Sequence, residues 1–508
     1  MKLLPTLASW FLVEMALSAC GQAVRTAPIR PLPAPVSSVT APTTTPPNPG
    51  QDPLGPRPSL ESPPTFSPPA PVVFTTPRGM TVWLLERHAV PLVSCDLTIP
   101  MGAASDPDGK AGLAYVTADM LDEGAGKLGA IELARALDEL GARLTTDSNA
   151  DASFVSLTVL KRHLPRAFSL FGDIVARPRL DAEEFKRVKE LWINELKQRA
   201  RDPDATARVV ARVALFGASH PYGHPWDGTL RSAAGVGIGD VRRFYAIAWR
   251  PERATLVCAG DVVPGELSTL VDMAFGAWRP AGVAPKLVAP IAPKGPWPKL
   301  VLVDRPDAPQ SVIAVVAPGL SAESVDVAPL WRVNDAIGGS FMSRLNQDLR
   351  EDHGYTYGAR SRYSLSRGTG QIISYASVVT DKTGDALAAM VTDLGTFARE
   401  GMTEAEVDRT RAQARQDLVS TYESVEGVAR RLAGNASLGL PPDADALRSK
   451  ACDKANKAEL DRLASHYYNP TDALVIVVGP RAKVSPLLLA AGFPPPEQRD
   501  AEGSVVSK

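Results

Sequence analysis

The stretch GLAYVTADMLDEG, Gly112 to Gly124, carries Tyr115, Ala118 and Asp119 at i, i+3 and i+4, a spacing that puts three side chains on one helix face. Two imidazoles and a glutamate at that spacing would hold a metal ion and activate a water. A phenol, a methyl group and an aspartate would not. A phenol, with a reference pKa of about 10, resists ionising to ligate at neutral pH, and alanine cannot serve as a base. His220 and His224 in HPYGH also have helical i, i+4 spacing, but Pro221, Gly223 and Pro225 break a helix there, and the segment reads as an ordered loop. His88, His163, His353 and His466 are isolated and read as surface or packing residues. The sequence contains no G-x-S-x-G elbow, no cysteine with a plausible histidine partner and no Gly-rich phosphate loop.

The elements that would position these residues repeat along the chain. VWLLER at Val82–Arg87 matches LVLVDR at Leu300–Arg305, and Pro91 before one apolar strand matches Pro309 before another, both at an offset of about 218 residues. RPERATLVCAGD matches NPTDALVIVVGP at nearly the same offset. The chain therefore reads as two copies of a unit of about 200 residues, joined near Val288–Pro298. Each copy reads as strand, strand, helix, a pair of strands, several helices and a closing strand. In the first copy, TVWLLE and LVSCDLTI are rich in Val, Leu and Ile. ARLTTDSN and ASFVSLTVL alternate polar and apolar residues, as half-buried strands do. Helices are expected through Asp181–Arg201, Asp204–Phe216 and Gly239–Ala248. This ordering points to an α+β fold of two homologous layered domains, each with helices on one face of a mostly antiparallel sheet.

The chain's 508 residues are 44% apolar with a formal net charge of −1, so nothing favours a polyanionic partner, and no nucleic-acid binding is expected. The N-terminus has Lys2, an apolar run too short to span a bilayer comfortably, and then LSAC. Small residues followed by Cys20 resemble the lipobox of bacterial lipoproteins, and Gln22 after Gly21 fits outer-membrane sorting. Residues Ala27 to Pro71 are rich in Pro, Thr and Ser and read as a disordered tether. Of the other cysteines, Cys95 and Cys258 lie in apolar strand-like runs and Cys452 lies alone. They read as buried thiols, with a single disulfide as the lesser alternative.

The second copy holds the most specific pattern, GGSFMSRLNQDLREDHGYTYGARSRY from Gly338 to Tyr363. Together with GASHPYGHPWDGT and the duplicated halves, it resembles the insulinase/pitrilysin family of zinc peptidases, whose inverted motif is H-x-x-E-H. The resemblance covers most of Pro77–Pro480. It implies that the first zinc histidine falls on Tyr115, the glutamate base on Ala118, the second histidine on Asp119 and the later glutamate ligand on Glu195. Only Glu195 keeps its residue type. Zinc needs imidazole or thiolate beside carboxylate to be held tightly, so no cofactor is expected in this chain and no catalytic residue is assigned. The resemblance also implies that Arg350 and Tyr357 bind the substrate main chain. Arg350 would offer a forked set of donors, and the Tyr357 hydroxyl would steady an oxyanion.

The resemblance further implies a half-shell subunit, inactive alone, that pairs with an H-x-x-E-H chain carrying the zinc and closes a chamber around peptides. It would be periplasmic and lipid-anchored through Cys20 to the outer membrane. The expected boundaries are a signal peptide with lipobox at 1–20, the tether at 21–72, the first domain at 73–287, a linker at 288–298, the second domain at 299–495 and a tail at 496–508. Two rival readings remain: a scaffold or peptide-binding protein of the same fold with no peptidase role, and an active metallopeptidase with an atypical metal site.

Overall fold

Twelve strands form two six-stranded sheets of matching plan. A computed structural model describes residues 66–77, 79–279, 282, 290–293 and 295–506. In the first half the strands are β1 (Val72–Thr75), β2 (Thr81–Glu86), β3 (Leu92–Ile99), β4 (Arg143–Ser148), β5 (Ser153–Leu160) and β6 (Thr255–Gly260). In the second they are β7 (Leu300–Asp304), β8 (Gln310–Pro318), β9 (Thr356–Ser364), β10 (Gln371–Val379), β11 (Leu474–Gly479) and β12 (Glu497–Arg499). The first sheet runs β1-β2-β6-β3-β5-β4 and the second β9-β10-β8-β11-β7-β12. Read from opposite ends, both contain one five-strand order, so the repeat in the sequence is a repeat in topology. Pairing is antiparallel except for β2 with β6, β11 with β7 and β12 with β7. The fold is the expected α+β layering.

The helices that matter here are α1 (Leu113–Asp119), α2 (Ala182–Arg199), α3 (Pro203–Phe216), α4 (Thr383–Glu400) and α5 (Val425–Ser437). One face of the first sheet is covered by α1, α2 and neighbouring helices of its own half, around Val93, Leu97, Phe168, Phe171 and Trp192. The second sheet packs likewise on α4, with Leu387, Met390 and Leu394 in its core.

The opposite faces are covered by exchange. Helix α3 belongs to the first half but packs its Ala207, Val210, Ala211 and Ala214 on Val301, Val312, Ala314 and Ile476 of the second sheet. Helix α5 belongs to the second half but packs Val425, Val428, Ala429 and Leu432 on Trp83, Leu85, Val257 and Ala259 of the first. Each exchanged helix has a built start. Asp202 caps α3 by accepting from the Asp204 N–H, with Pro203 in the first turn, and Ser424 caps α5 by accepting from the Gly427 N–H. Strands sandwiched this way are apolar on both faces, which is why TLVCAG and LVIVVG show no alternation. The described residues lie in one compact unit.

The two hairpin turns also meet across the halves. Asp151, after β4, accepts from the Tyr222 hydroxyl at 2.6 Å and from the Arg367 backbone N–H at 3.1 Å, in the turn between β9 and β10. Asp151 is buried, so this bonding offsets the cost of removing a carboxylate from water.

Several expectations change. Cys95 and Cys258 are directly opposed on β3 and β6 and form a disulfide, not two thiols. Their separation of 163 residues hid that pairing. Cys452 is a buried free thiol. Phe66 packs edge-on against Tyr422 at 5.6 Å and Val72 opens β1, so the folded unit begins before residue 73. The expected tail contains β12, and Glu502 accepts from the Leu230 N–H at 2.7 Å. A three-residue polar strand carries no hydrophobic period by which to find it. Cys20 and the tether up to residue 65 lie outside the described residues.

The exchange makes a local test. Leu432 is fully buried on α5, so Leu432→Ala should cost about 2–5 kcal/mol. In hydrogen exchange, the lost protection should fall on β2 and β6 of the first half as well as on α5 itself.

Candidate functional site

Helix α1 begins at Gly112, whose φ is 85°. A Cβ there would come within 2.6 Å of the Trp192 ring and 2.8 Å of the Asp227 carbonyl, so glycine is required both for the left-handed backbone and for the close approach of α2. The helix buries Leu113, Ala114, Val116, Thr117 and Ala118. Tyr115 and Asp119 remain half-buried on its accessible side. Helix α1 also packs against β4, the unpaired edge of the first sheet.

The structure brings Tyr115 and Glu195 together across 80 residues of sequence. The Tyr115 hydroxyl donates to Glu195 Oε2 at 3.1 Å. Its ring meets Trp226 edge-on at 5.4 Å and lies 6.5 Å from Trp192. The Trp192 indole N–H donates to the Asp227 carbonyl at 2.7 Å, which ties the Trp226 loop to α2. Burial, then the charges of Asp119, Glu195 and Asp227, push the Tyr115 phenol well above its ordinary range. It therefore stays protonated and acts as a donor. Sequence reasoning missed Trp226, whose signal was an aromatic in a Pro- and Gly-rich loop.

These residues do not fit zinc. The phenol is committed to Glu195 and held neutral, Ala118 is a buried methyl group, and the position offers no imidazole or thiolate. Among the described residues, no three His, Cys, Asp or Glu side chains are grouped to hold a metal. The loop histidines serve the backbone. His220 Nδ1 accepts from the Tyr222 N–H at 3.0 Å, leaving Nε2 to donate to the Ile291 carbonyl at 2.7 Å. His224 Nδ1 lies 3.2 Å from the Pro225 carbonyl.

Arg350 and Tyr357 lie in the second half. Arg350 sits in a π-helical turn, Gln347–Asp352, that packs against β9. Its guanidinium lies 4.7 Å over the Phe341 ring, and its Nε is 3.3 Å from Glu351 Oε1. Tyr357, on β9, is 89% exposed. Phe341 and Met342, in the loop before the turn, are also largely exposed. The structure thus places Arg350 and Tyr357 on neighbouring elements, apart from the Tyr115–Glu195 pair in the other half. Phe341, which flattens Arg350 against an aromatic face, was not singled out from sequence.

The described residues contain no helix long and apolar enough to cross a membrane. The chain matches the family model for insulinase (peptidase family M16) over residues 81–213 and that for the peptidase M16 inactive domain over residues 236–414. It is 28% identical over 369 residues to an uncharacterized zinc protease of Mycobacterium bovis, covering 72% of this chain and 83% of the relative. It is 23% identical over 324 residues to the non-peptidase homolog YmxG of Helicobacter pylori, covering 64% and 74% respectively. Its fold is similar to the crystal structure of a peptidase M16 inactive domain from Pseudomonas fluorescens, with a TM-score of 0.75 at 21% identity, covering 81% of this chain and 98% of that one. It is also similar to a chain of complex III from Candida albicans, with a TM-score of 0.69 at 15% identity, covering 83% and 99%. With both of its halves matched by models of one family, the chain belongs to the insulinase (M16) family.

Proposed function

We propose that this protein is the non-catalytic subunit of a two-chain zinc peptidase, pairing with an H-x-x-E-H chain to bind peptides that its partner cleaves. The observation that carries the reading is the Tyr115–Glu195 bond. The frame of a metal site is kept, and its ligand positions are turned to holding α1 against α2. Arg350 and Tyr357 meanwhile remain accessible to a main chain. Peptides would add as a strand to the open edge of β4, beside α1, where main-chain hydrogen bonds give affinity with little sequence preference. The Mycobacterium bovis relative is named as a zinc protease and the Helicobacter pylori one as a non-peptidase homolog, so the family contains chains of both descriptions.

The same reading puts the protein in the periplasm, tethered by a lipid on Cys20. The Cys95–Cys258 disulfide supports an oxidising compartment, since cytosolic proteins rarely keep such bonds. A scaffold role with no peptidase partner is the competing outcome of the tests below.

Purified alone, the chain should hold less than one zinc per molecule and cleave no peptide. Elemental analysis showing one tightly held zinc, lost only to strong chelators, would overturn this. Cys20→Ala should abolish lipid labelling and release the protein from membranes, and unchanged membrane attachment would refute the lipobox. In the assembled pair, Arg350→Ala should lower peptide turnover by about 30- to 1000-fold, because a charge-assisted contact that tightens in the transition state is worth roughly 2–4 kcal/mol. Tyr357→Phe should slow turnover without lowering the melting point, since the ring stands in solvent. Full activity of both variants in a correctly assembled pair would end the substrate-binding reading.

A further inference from the structure

Helix α3 lies over β11 and β8 of the second sheet and stops short of β9, which forms that sheet's edge. A shelf is left beside the helix, floored by the outward residues of β10 and β9. On β9, Ala359 and Ser361 turn inward and are buried, so Arg360 and Arg362 turn outward, and both are exposed. Arg360 stands directly opposite Tyr375 of β10, and Arg362 opposite Ile373. Tyr375 and Ile373 pack in the same cluster as α3, so the two arginines share the face that the helix covers. The Arg362 guanidinium lies 5.9 Å over the Tyr375 ring, which directs it across the shelf.

The wall of the shelf is the flank of α3. Asp204 accepts from the Ser377 hydroxyl of β10 at 2.9 and 3.1 Å, which fixes that flank toward β10. Arg208, one helical turn further along it, is exposed. Among the described residues, Arg208, Arg360 and Arg362 make no hydrogen bond or ion pair. Asp204 offsets part of their charge, and the shelf stays positive. The main chain of β9 is meanwhile occupied: Asn346 accepts from the Ala359 N–H at 3.3 Å, and Asn334 donates to the Ser361 carbonyl at 3.1 Å. A partner here is therefore gripped through side chains, unlike one paired with the open edge of β4.

We infer that this shelf binds an acidic stretch of extended peptide, and so selects the substrate class of the peptide-binding subunit proposed above, a reading on which the inference rests. Spacing supports it. Arg360 and Arg362 are two residues apart on a strand, about 7 Å at a rise of ~3.4 Å per residue. Alternate side chains of an extended peptide have the same spacing, so glutamates at every second position would meet both guanidiniums, which take carboxylates with a fork of donors. Position supports it too. β4 ends at Ser148, just before Asp151, and β9 ends at Ser364, just before Arg367, and Asp151 accepts from the Arg367 N–H. The open edge of β4 and the arginine row thus lead to one junction, and Tyr357 precedes the row on the same strand.

Fluorescence polarisation with the purified chain, no partner present, tests this. A labelled peptide with glutamate at alternate positions and threonine between should bind saturably, and its glutamine counterpart about tenfold or more weakly. Raising the salt from about 0.05 to about 0.5 M should remove most of that difference, because exposed charge pairs are screened. Arg360→Gln combined with Arg362→Gln, both exposed changes that leave the melting point in place, should bring the glutamate peptide down to the level of the glutamine one. The inference is overturned by equal affinity for the two peptides or by unchanged binding in the normally melting double variant. Tighter binding of an oligonucleotide or of anionic lipid vesicles through the same two arginines would also overturn it. Cleavage separates this from the subunit role. If the assembled pair cleaves both peptides equally well, the acidic preference falls and the role stands. If a correctly assembled pair cleaves neither, the role falls, and polarisation alone decides the shelf.

Discussion

Each half of this protein builds a sheet with its own helices on one side and none of its own on the other. The exchange of α3 and α5 resolves that for both halves at once. An apolar sheet face left in water would forgo about 25 cal/mol for every Å² that burial removes from solvent. Neither half can keep its strands two-sided and apolar unless the other supplies a helix. The junction is therefore core and not a docking surface, and the halves are held in one relative position. Asp151 adds direction to the apolar contact, since its bond from the Arg367 N–H is made only when the two hairpin turns face each other.

That fixed frame explains why helix α1 is kept in place whatever chemistry its side chains carry. Helix α1 is needed to close the first core, and Gly112 is needed to let α2 come close. The Tyr115 hydroxyl and the Glu195 carboxylate link α1 to α2, with Trp192 and Trp226 packed around the ring. The phenol is a donor because it stays protonated, and it stays protonated because burial and three nearby carboxylates disfavour a further negative charge.

The exchange also explains why one region of the first sheet is polar. Helix α5 covers β2, β6 and part of β3 with apolar side chains, but beyond it the outward positions of β3, β5 and β4 are Ser94, Asp96, Ser156, Thr158, Arg143 and Thr145. Apolar residues there would form an uncovered patch. Polar ones can face solvent, and the two charges that α5 brings beside them, Glu426 and Arg430, come from the other half of the chain.

The sequence by itself determined the α+β class, the duplication and the element types, because periodicity and the offset of about 218 residues are local or repeating signals. It also determined, by resemblance, that Tyr115 and Glu195 occupy related positions, and the three non-ligand residue types at the motif were plain to read. Tertiary structure alone decided which helix covers which sheet, since α3 and α5 are amphipathic whichever sheet they face. It decided that Cys95 meets Cys258, a pairing set by strand order and not by spacing. It alone showed that Asp96, one polar residue among apolar neighbours in LVSCDLTI, is buried beside a cleft built from both halves. A carboxylate's environment depends on what folds over it, and here that is a helix some 330 residues away in the chain.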